Sequence, residues 1–229
     1  TGPAGTFSAL ATVFAAGTVM FALGAGLMSL ALAHPHPTPN DGSVVARLVN
    51  PADQADIEAL VDEVRQARVV MVGETHVRYD HHLNQLAVIR GLHERGVPVA
   101  IGMEYFQRPF QAHLDDFSAG RTTLAQLLER TEWSQRWRFD VRLYQDILAY
   151  AQRHGIPLVA LNAATETVSA VSAGGIDALD PDRRAGFPPR IELAEGAYRA
   201  QLDRMFALHG HMPEAHRERF LQVQYVWDQ

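Results

Sequence analysis

The chain has no cysteine and no lysine. Lacking Cys, it has no disulfide, no thiolate metal site, no Cys nucleophile and no lipid attached through sulfur, and its redox compartment stays open. All 20 basic residues are Arg, a usage that fits either a GC-rich coding bias or selection for bidentate anion contacts. Basic residues are also outnumbered, 20 against 26 acidic for a net charge of -6, so no nucleic-acid-binding surface is expected. Several chemistries lack their defining residues. There is no Gly-x-Gly-x-x-Gly after a strand, no P-loop, no His-Glu-x-x-His and no Gly-x-Ser-x-Gly, which sets aside dinucleotide, NTP, zincin and serine-hydrolase readings. What remains, 229 residues of which 47% are hydrophobic, suffices for one full-sized core plus a tail.

Charge is absent altogether from residues 1–40, where Ala9 to Ala33 is an almost unbroken apolar run. Ala31 and Ala33 form an A-x-A cleavage pattern ahead of His34-Pro35-His36-Pro37-Thr38-Pro39. The run is read as a signal peptide over residues 1–33, or as an uncleaved anchor, since a bilayer needs only about 20 apolar residues. The basic residues that usually precede such a leader are missing. Residues 34–44 read as a Pro/His-rich linker, with metal binding by His34 and His36 as the alternative. Residues 45–229 are expected to form the folded domain.

That domain repeats one unit. Ile57, Leu60, Val61 and Val64 have helical spacing and lead into Val69-Val70-Met71-Val72, expected to be a buried parallel strand. Leu83, Leu86, Ile89 and Leu92 lead through Gly96 and Pro98 into the segment ending at Met103-Glu104. Ile147, Leu148 and Ala151 lead through Gly155 and Pro157 into the one ending at Leu161-Asn162. Gly closes a helix and Pro opens a strand in both. The expected fold class is α/β, a mostly parallel sheet flanked by helices.

Each strand ends in polar groups: Glu74 with His76, then Glu104, then Asn162. Gly73 frees the backbone where the first strand stops. Ligands of open α/β sheets sit beyond the carboxyl ends of the strands, so these groups are expected on one rim. Two carboxylates there need a proton, a cation or a donor between them; capping of neighbouring helices is the alternative for each. Asp80 is expected to cap the next helix, placing Arg78, Tyr79, His81 and His82 near the rim, where they can bind a carboxylate, a metal or a haem edge.

Elsewhere, Phe110 to Phe117 reads as a short amphipathic helix. Trp133 and Trp137, four apart, share a face if helical, either packed inside or presented to haem or a second copy. Ser169 to Gly186 reads as a mobile loop region. His209, His211 and His216 could supply imidazoles to a metal, although their Gly-Pro setting suits a solvated loop.

The segments VVMVGETHVRYDHHLNQLAVIRGL, VAIGMEYFQRPFQAHLDDF and YQDILAYAQRHGIPLVALNA together resemble the ChaN-type haem-binding uptake family, within the group that also holds Tiki-type proteases and erythromycin esterases. The resemblance implies an α/β fold, an exported bacterial protein, periplasmic or anchored facing the periplasm, and haem binding tied to iron acquisition. The family pattern matches at Glu74, His76, His82 and Glu104, and the family's Tyr ligation of haem iron points to Tyr79 or Tyr105. The ligand-binding set it implies is Glu74, His76, Arg78, Tyr79, His82, Glu104, Tyr105 and Asn162. A hydrolase is the competing reading, with Glu74 and His76 activating water, directly or on a divalent metal, and Glu104 orienting or protonating. Haem or another small molecule is the expected partner, with a homodimer and membrane attachment through the N-terminal segment compatible with it. Two departures stand out: there is no Cys to lipidate, and the chain ends at Val226-Trp227-Asp228-Gln229, inside an element beyond which relatives carry a second Gly-x-x-His. The domain is therefore expected to be truncated at its C-terminus.

Overall fold

The alternation of helical and continuous apolar spacing folds into alternating helices and parallel strands. The computed structural model describes residues 11–15, 57–187, 196–207 and 214–227. Strand β1 (Ala11–Ala15) is followed by helix α1 (Ile57–Val64), β2 (Val69–Met71), α2 (Tyr79–Glu94) and β3 (Val99–Gln107). A 3-10 turn at 108–110 leads to α3 (Gln111–Ser118), α4 (Leu124–Arg130) and the single turn α5 (Trp133–Arg136). Then come α6 (Gln145–His154), β4 (Leu158–Asn162), α7 (Thr165–Gly174), α8 (Pro181–Ala185), α9 (Gly196–Ala207) and α10 (Glu214–Trp227).

The sheet order is β2-β1-β3-β4 with all pairs parallel. β1 lies within the segment expected to be a leader, and its backbone fills the place between β2 and β3, Val13 pairing with Val70 on one side and Ile101 on the other. Among the described residues β2 stands at the edge of the sheet, which corrects the expectation of a fully buried strand. Val69 is 46% and Met71 69% exposed, while Val70 packs on the core, the alternation of a strand covered on one face. β3, paired on both sides, is the buried strand: only Glu104 of its nine residues is not buried. Among the described residues no helix is long and apolar enough to cross a membrane.

α2 and α6 end alike. Gly96 and Gly155 adopt left-handed φ of 74° and 62°. Their amides reach back to His93 and Gln152, while Val97 and Ile156 bond the Leu92 and Ala151 carbonyls. This is the paired 6→1 and 5→2 pattern of a Schellman ending, with an apolar residue after each Gly. Gly73, by contrast, is not in the left-handed region and has open space where a Cβ would be, so the strand end does not require it.

The main core joins Val61, Ile89, Leu92, Met103, Phe106, Leu114, Phe117, Leu127, Ile147, Leu148 and Leu158 from both sides of the sheet. Residues 169–186, expected to be a mobile loop, are instead largely helical. Val171 of α7 packs with Ala163, Val223 and Val226, and the Ile176 amide donates to Gln222 Oε1 of α10 at 2.8 Å. The Gly and Ala content that suggested mobility allows close helix packing. Gly155→Ala is expected to lower stability by about 1 kcal/mol through its positive φ, with Gly73→Ala near neutral; the urea midpoints of the two variants check this.

Candidate functional site

The loop from β2 to α2 turns tightly, the Arg78 amide donating to the Thr75 carbonyl at 2.8 Å and the Thr75 amide to His81 Nδ1 at 2.9 Å. This drives the Glu74 side chain inward, where it is fully buried. Its Oε1 accepts from His76 Nδ1 at 2.6 Å, and its Oε2 lies 2.6 Å from His82 Nδ1. His82 Nε2 donates to the His76 carbonyl at 3.0 Å. The second neighbour of His82 Nδ1 is Gln85 Oε1 at 3.2 Å, and the Gln85 amide is fixed in that sense because its Nε2 donates to the Val72 carbonyl at 3.1 Å. Both ring nitrogens of His82 therefore face acceptors, so the ring is doubly protonated opposite an ionised Glu74.

The electrostatics agree. Burial, the largest single influence on Glu74, pushes its carboxyl up, but the contacts of His76 and His82 outweigh it and hold the carboxyl below its ordinary value. Burial likewise pushes His82 down and is outweighed by Glu74, the His76 carbonyl and Gln85, leaving the imidazole raised. A buried charge is tolerable only when paired in this way.

Glu104 reaches the same place through an irregularity of the sheet. Met103 pairs with Ala160 and Gln107 with Asn162, so Glu104, Tyr105 and Phe106 oppose Leu161 alone. Bulges of this kind re-aim side chains near functional sites. The Asn162 amide nitrogen closes the bulge by donating to the Glu104 carbonyl at 3.0 Å. Glu104 Oε1 stands 3.7 Å from His76 Nδ1, and one ligand atom each of Glu74, His76 and Glu104 lies within 4.8 Å of the others. The three groups expected on one rim are thus together.

The His76 ring is walled by Trp137, edge-on at 4.8 Å, and Phe139, tilted at 4.8 Å. Tyr144 packs against the His82 ring at 4.4 Å and its hydroxyl faces the His76 carbonyl at 3.4 Å. Phe139, Tyr144 and Gln85 were not singled out from sequence. Gln85 alone carried a signal, a polar residue one turn after His82 on the helix.

Other expected site residues stand differently. His82 is 2% exposed, behind Glu74, and contacts no surface. Tyr105 is 4% exposed, its ring 4.2 Å from Tyr144; burial first, and the charge of Glu74 second, push its hydroxyl far up. As ligand contacts these two are corrected to supporting roles. Asn162 is engaged by backbone. Arg78 is exposed and ion-paired with Asp80 at 2.6 Å. Asp80 is not the cap: it lies in the first turn of α2, whose N-cap is Arg78 with no side-chain cap bond, and an acid there suits the helix dipole. Tyr79 is exposed, its hydroxyl donating to Asp146 Oδ2 at 2.5 Å. The tryptophans split: Trp133 is buried with Nε1 donating to the Phe139 carbonyl at 2.8 Å, and Trp137 lines the site. His34, His36, His209 and His211, and the His216 side chain, lie outside what the structure describes.

Removing His82 takes away the buried ion-pair partner of Glu74 Oε2 and leaves only His76 on the carboxylate, so His82→Leu is expected to cost about 3 kcal/mol, with the Glu74→Gln/His82→Leu double variant recovering much of it. Glu74 contributes stability that is present above its ordinary 4.5 and is lost as pH falls through its lowered folded value. His82 contributes stability that is present below its ordinary 6.5 and is lost as pH rises through its raised folded value. Thermal midpoints are expected to be level between these limits and to fall on both sides, with the alkaline fall absent in His82→Leu.

No curated protein matches the chain. Among solved structures it is similar to one described as cofacial heme binding to ChaN of Campylobacter jejuni, with a TM-score of 0.56 and 16% identity over 74% of this chain. The match spans 66% of that chain, just under two thirds, and at this identity it speaks for the fold. A family model described as haem-binding uptake, Tiki superfamily, ChaN matches residues 60–229, most of the chain, which therefore belongs to the ChaN family of the Tiki superfamily.

Proposed function

We propose that the chain binds haem at the carboxyl-terminal rim of its sheet, with His76 as the iron ligand, in the service of haem or iron uptake. The observation that carries this reading is the carboxylate-held imidazole. His76 Nδ1 donates to Glu74 Oε1 at 2.6 Å, which leaves Nε2, without a partner among the described residues, as the nitrogen that can meet a metal, the arrangement that orients metal-bound histidines. Trp137 and Phe139 flank the ring. Val77, Tyr79 and Leu83 nearby expose apolar surface, as a largely apolar macrocycle requires. These residues fit the group. Bound haem would supply the iron; the protein contributes an oriented nitrogen and an aromatic wall.

The geometry favours His76 over the tyrosines that the family resemblance suggests. Tyr105 is enclosed. Tyr79 is accessible, but its hydroxyl bond to Asp146, the largest effect, raises its pKa, and a tyrosinate would stand against a carboxylate at 2.5 Å. Family membership and the likeness to a haem-binding ChaN structure support the ligand class. Export belongs to the same proposal and rests on the apolar run; recovery of the chain in the periplasmic or membrane fraction supports it, and a chain confined to the cytoplasm counts against it.

A second reading, a divalent-cation or Glu/His-dependent hydrolase, is favoured by the mutual reach of Glu74, His76 and Glu104. Elemental analysis of protein purified without chelator, with an ester and peptide screen, tests it; no metal and no turnover retire it. For the first reading, haemin titrated into the purified chain is expected to give a shifted Soret band. His76→Ala should weaken binding at least about tenfold, or about 1.4 kcal/mol, and Tyr79→Phe should leave it within about twofold. An unshifted Soret band, or binding indifferent to His76, counts against haem ligation by this residue.

A further inference from the structure

Beyond the acidic cluster, the same end of the sheet carries a cation that the site described so far does not use. Arg108 follows β3 directly, and its Nε donates to the Leu161 carbonyl at the end of β4 at 3.0 Å. Leu161 precedes Asn162, whose side chain holds the Glu104 carbonyl, so the guanidinium belongs to the rim. Four residues along an extended strand span at most about 13 Å, which keeps Arg108 within a porphyrin's reach of the Glu104–His76 cluster. Its guanidinium carbon stands 5.6 Å over the Phe187 ring. Phe187 also lines an open concavity of about 550 Å³ with Pro181, Arg184 and Ala185.

Neighbouring guanidiniums are neutralised. Arg136 meets Glu132 at 2.7 Å and Glu166 at 2.9 Å, and Arg183 meets Asp180 at 3.2 Å. Half-buried Arg108 has no carboxylate partner among the described residues, and burial alone acts on it, pushing its pKa down. Desolvating a cation without a counter-charge is costly. Stacking on an aromatic ring while the outer nitrogens stay unpaired is how Arg presents a fork to a carboxylate.

We propose that Arg108, backed by Phe187, is a carboxylate subsite that takes the acidic arm of the ligand held at the rim. The ligand class is a planar aromatic molecule bearing carboxylates, and naming it as haem, with a propionate on Arg108, rests on the haem reading above.

The test compares haemin with its dimethyl ester, whose arms carry no charge, by Soret titration of the full chain. Wild type is expected to prefer haemin by about tenfold. Arg108→Gln should bring haemin down to the affinity of the ester without moving the Soret position or the ester's own affinity. Arg108→Lys, which keeps the charge but loses the fork, should fall between and guards against misfolding of the Gln variant. Equal binding of haemin and ester by wild type, or equal losses for both ligands in Arg108→Gln, overturns the subsite. If wild type binds neither porphyrin, the haem reading falls. The subsite is then judged with a fluorescent naphthalene dicarboxylate: binding that disappears in Arg108→Gln retains it, and binding indifferent to Arg108, or absent, ends it.

Discussion

A carboxylate enclosed between two imidazoles sets the rest of this molecule in place. Glu74 is fully buried at the end of a three-residue edge strand, a position that no chain would give an ionised acid unless its compensation were built in. Both compensating groups are local in sequence. His76 comes from the same turn and His82 from the first turns of α2, so the ion pair fixes the angle at which α2 leaves the sheet. His82 then returns a hydrogen bond to the His76 carbonyl, and Gln85 ties the assembly to the carbonyl of Val72. Orientation of the His76 ring is thus the outcome of hydrogen bonds and one ion pair that run from strand to helix and back.

Much of this was legible in the residues because it is local. Helical spacing marks α1, α2 and α6, and the Gly-apolar-Pro punctuation marks two helix ends that the backbone realises in the same way. GETH at a strand end is legible as chemistry, since it sets an acid and an imidazole where ligands of α/β sheets sit. What was not legible depends on which strand lies beside which. The edge position of β2 among the described residues is set by the strand order β2-β1-β3-β4, which no single strand encodes. The bulge that aims Glu104 at His76 is a mismatch between β3 and β4, and neither strand alone encodes it. Tyr105 reads as a rim residue by its position next to Glu104, yet in the bulged strand it packs inside against Tyr144.

β1 carries a tension of its own. The run of small and apolar residues that reads as a leader also has the composition of a central parallel strand, buried on both faces. Both readings draw on the same hydrophobicity, and periodicity cannot separate them because neither requires a polar face. They are mutually exclusive for one molecule at one time: residues 11–15 that pair with Val69–Met71 and Val99–Met103 cannot also have been removed. A chain without them would leave β2 and β3 with facing unpaired edges, which sheets do not tolerate without another strand or a cover.

Charge is distributed along the rim in a way that a single ligand could read. At one end the carboxylates of Glu74 and Glu104 both stand beside His76, so a positive centre placed there meets acidic groups. At the other stands Arg108, a half-buried cation over the Phe187 ring. A ferric porphyrin has the complementary pattern, a positive metal centre and anionic arms at one edge. On the proposed reading the two ends orient the macrocycle as well as hold it, because the reversed pose would set its carboxylates against Glu104 and leave Arg108 without a carboxylate among the described residues. Electrostatic matching of this sort contributes chiefly to the choice of ligand and pose, while the aromatic wall of Trp137 and Phe139 supplies the area from which affinity comes.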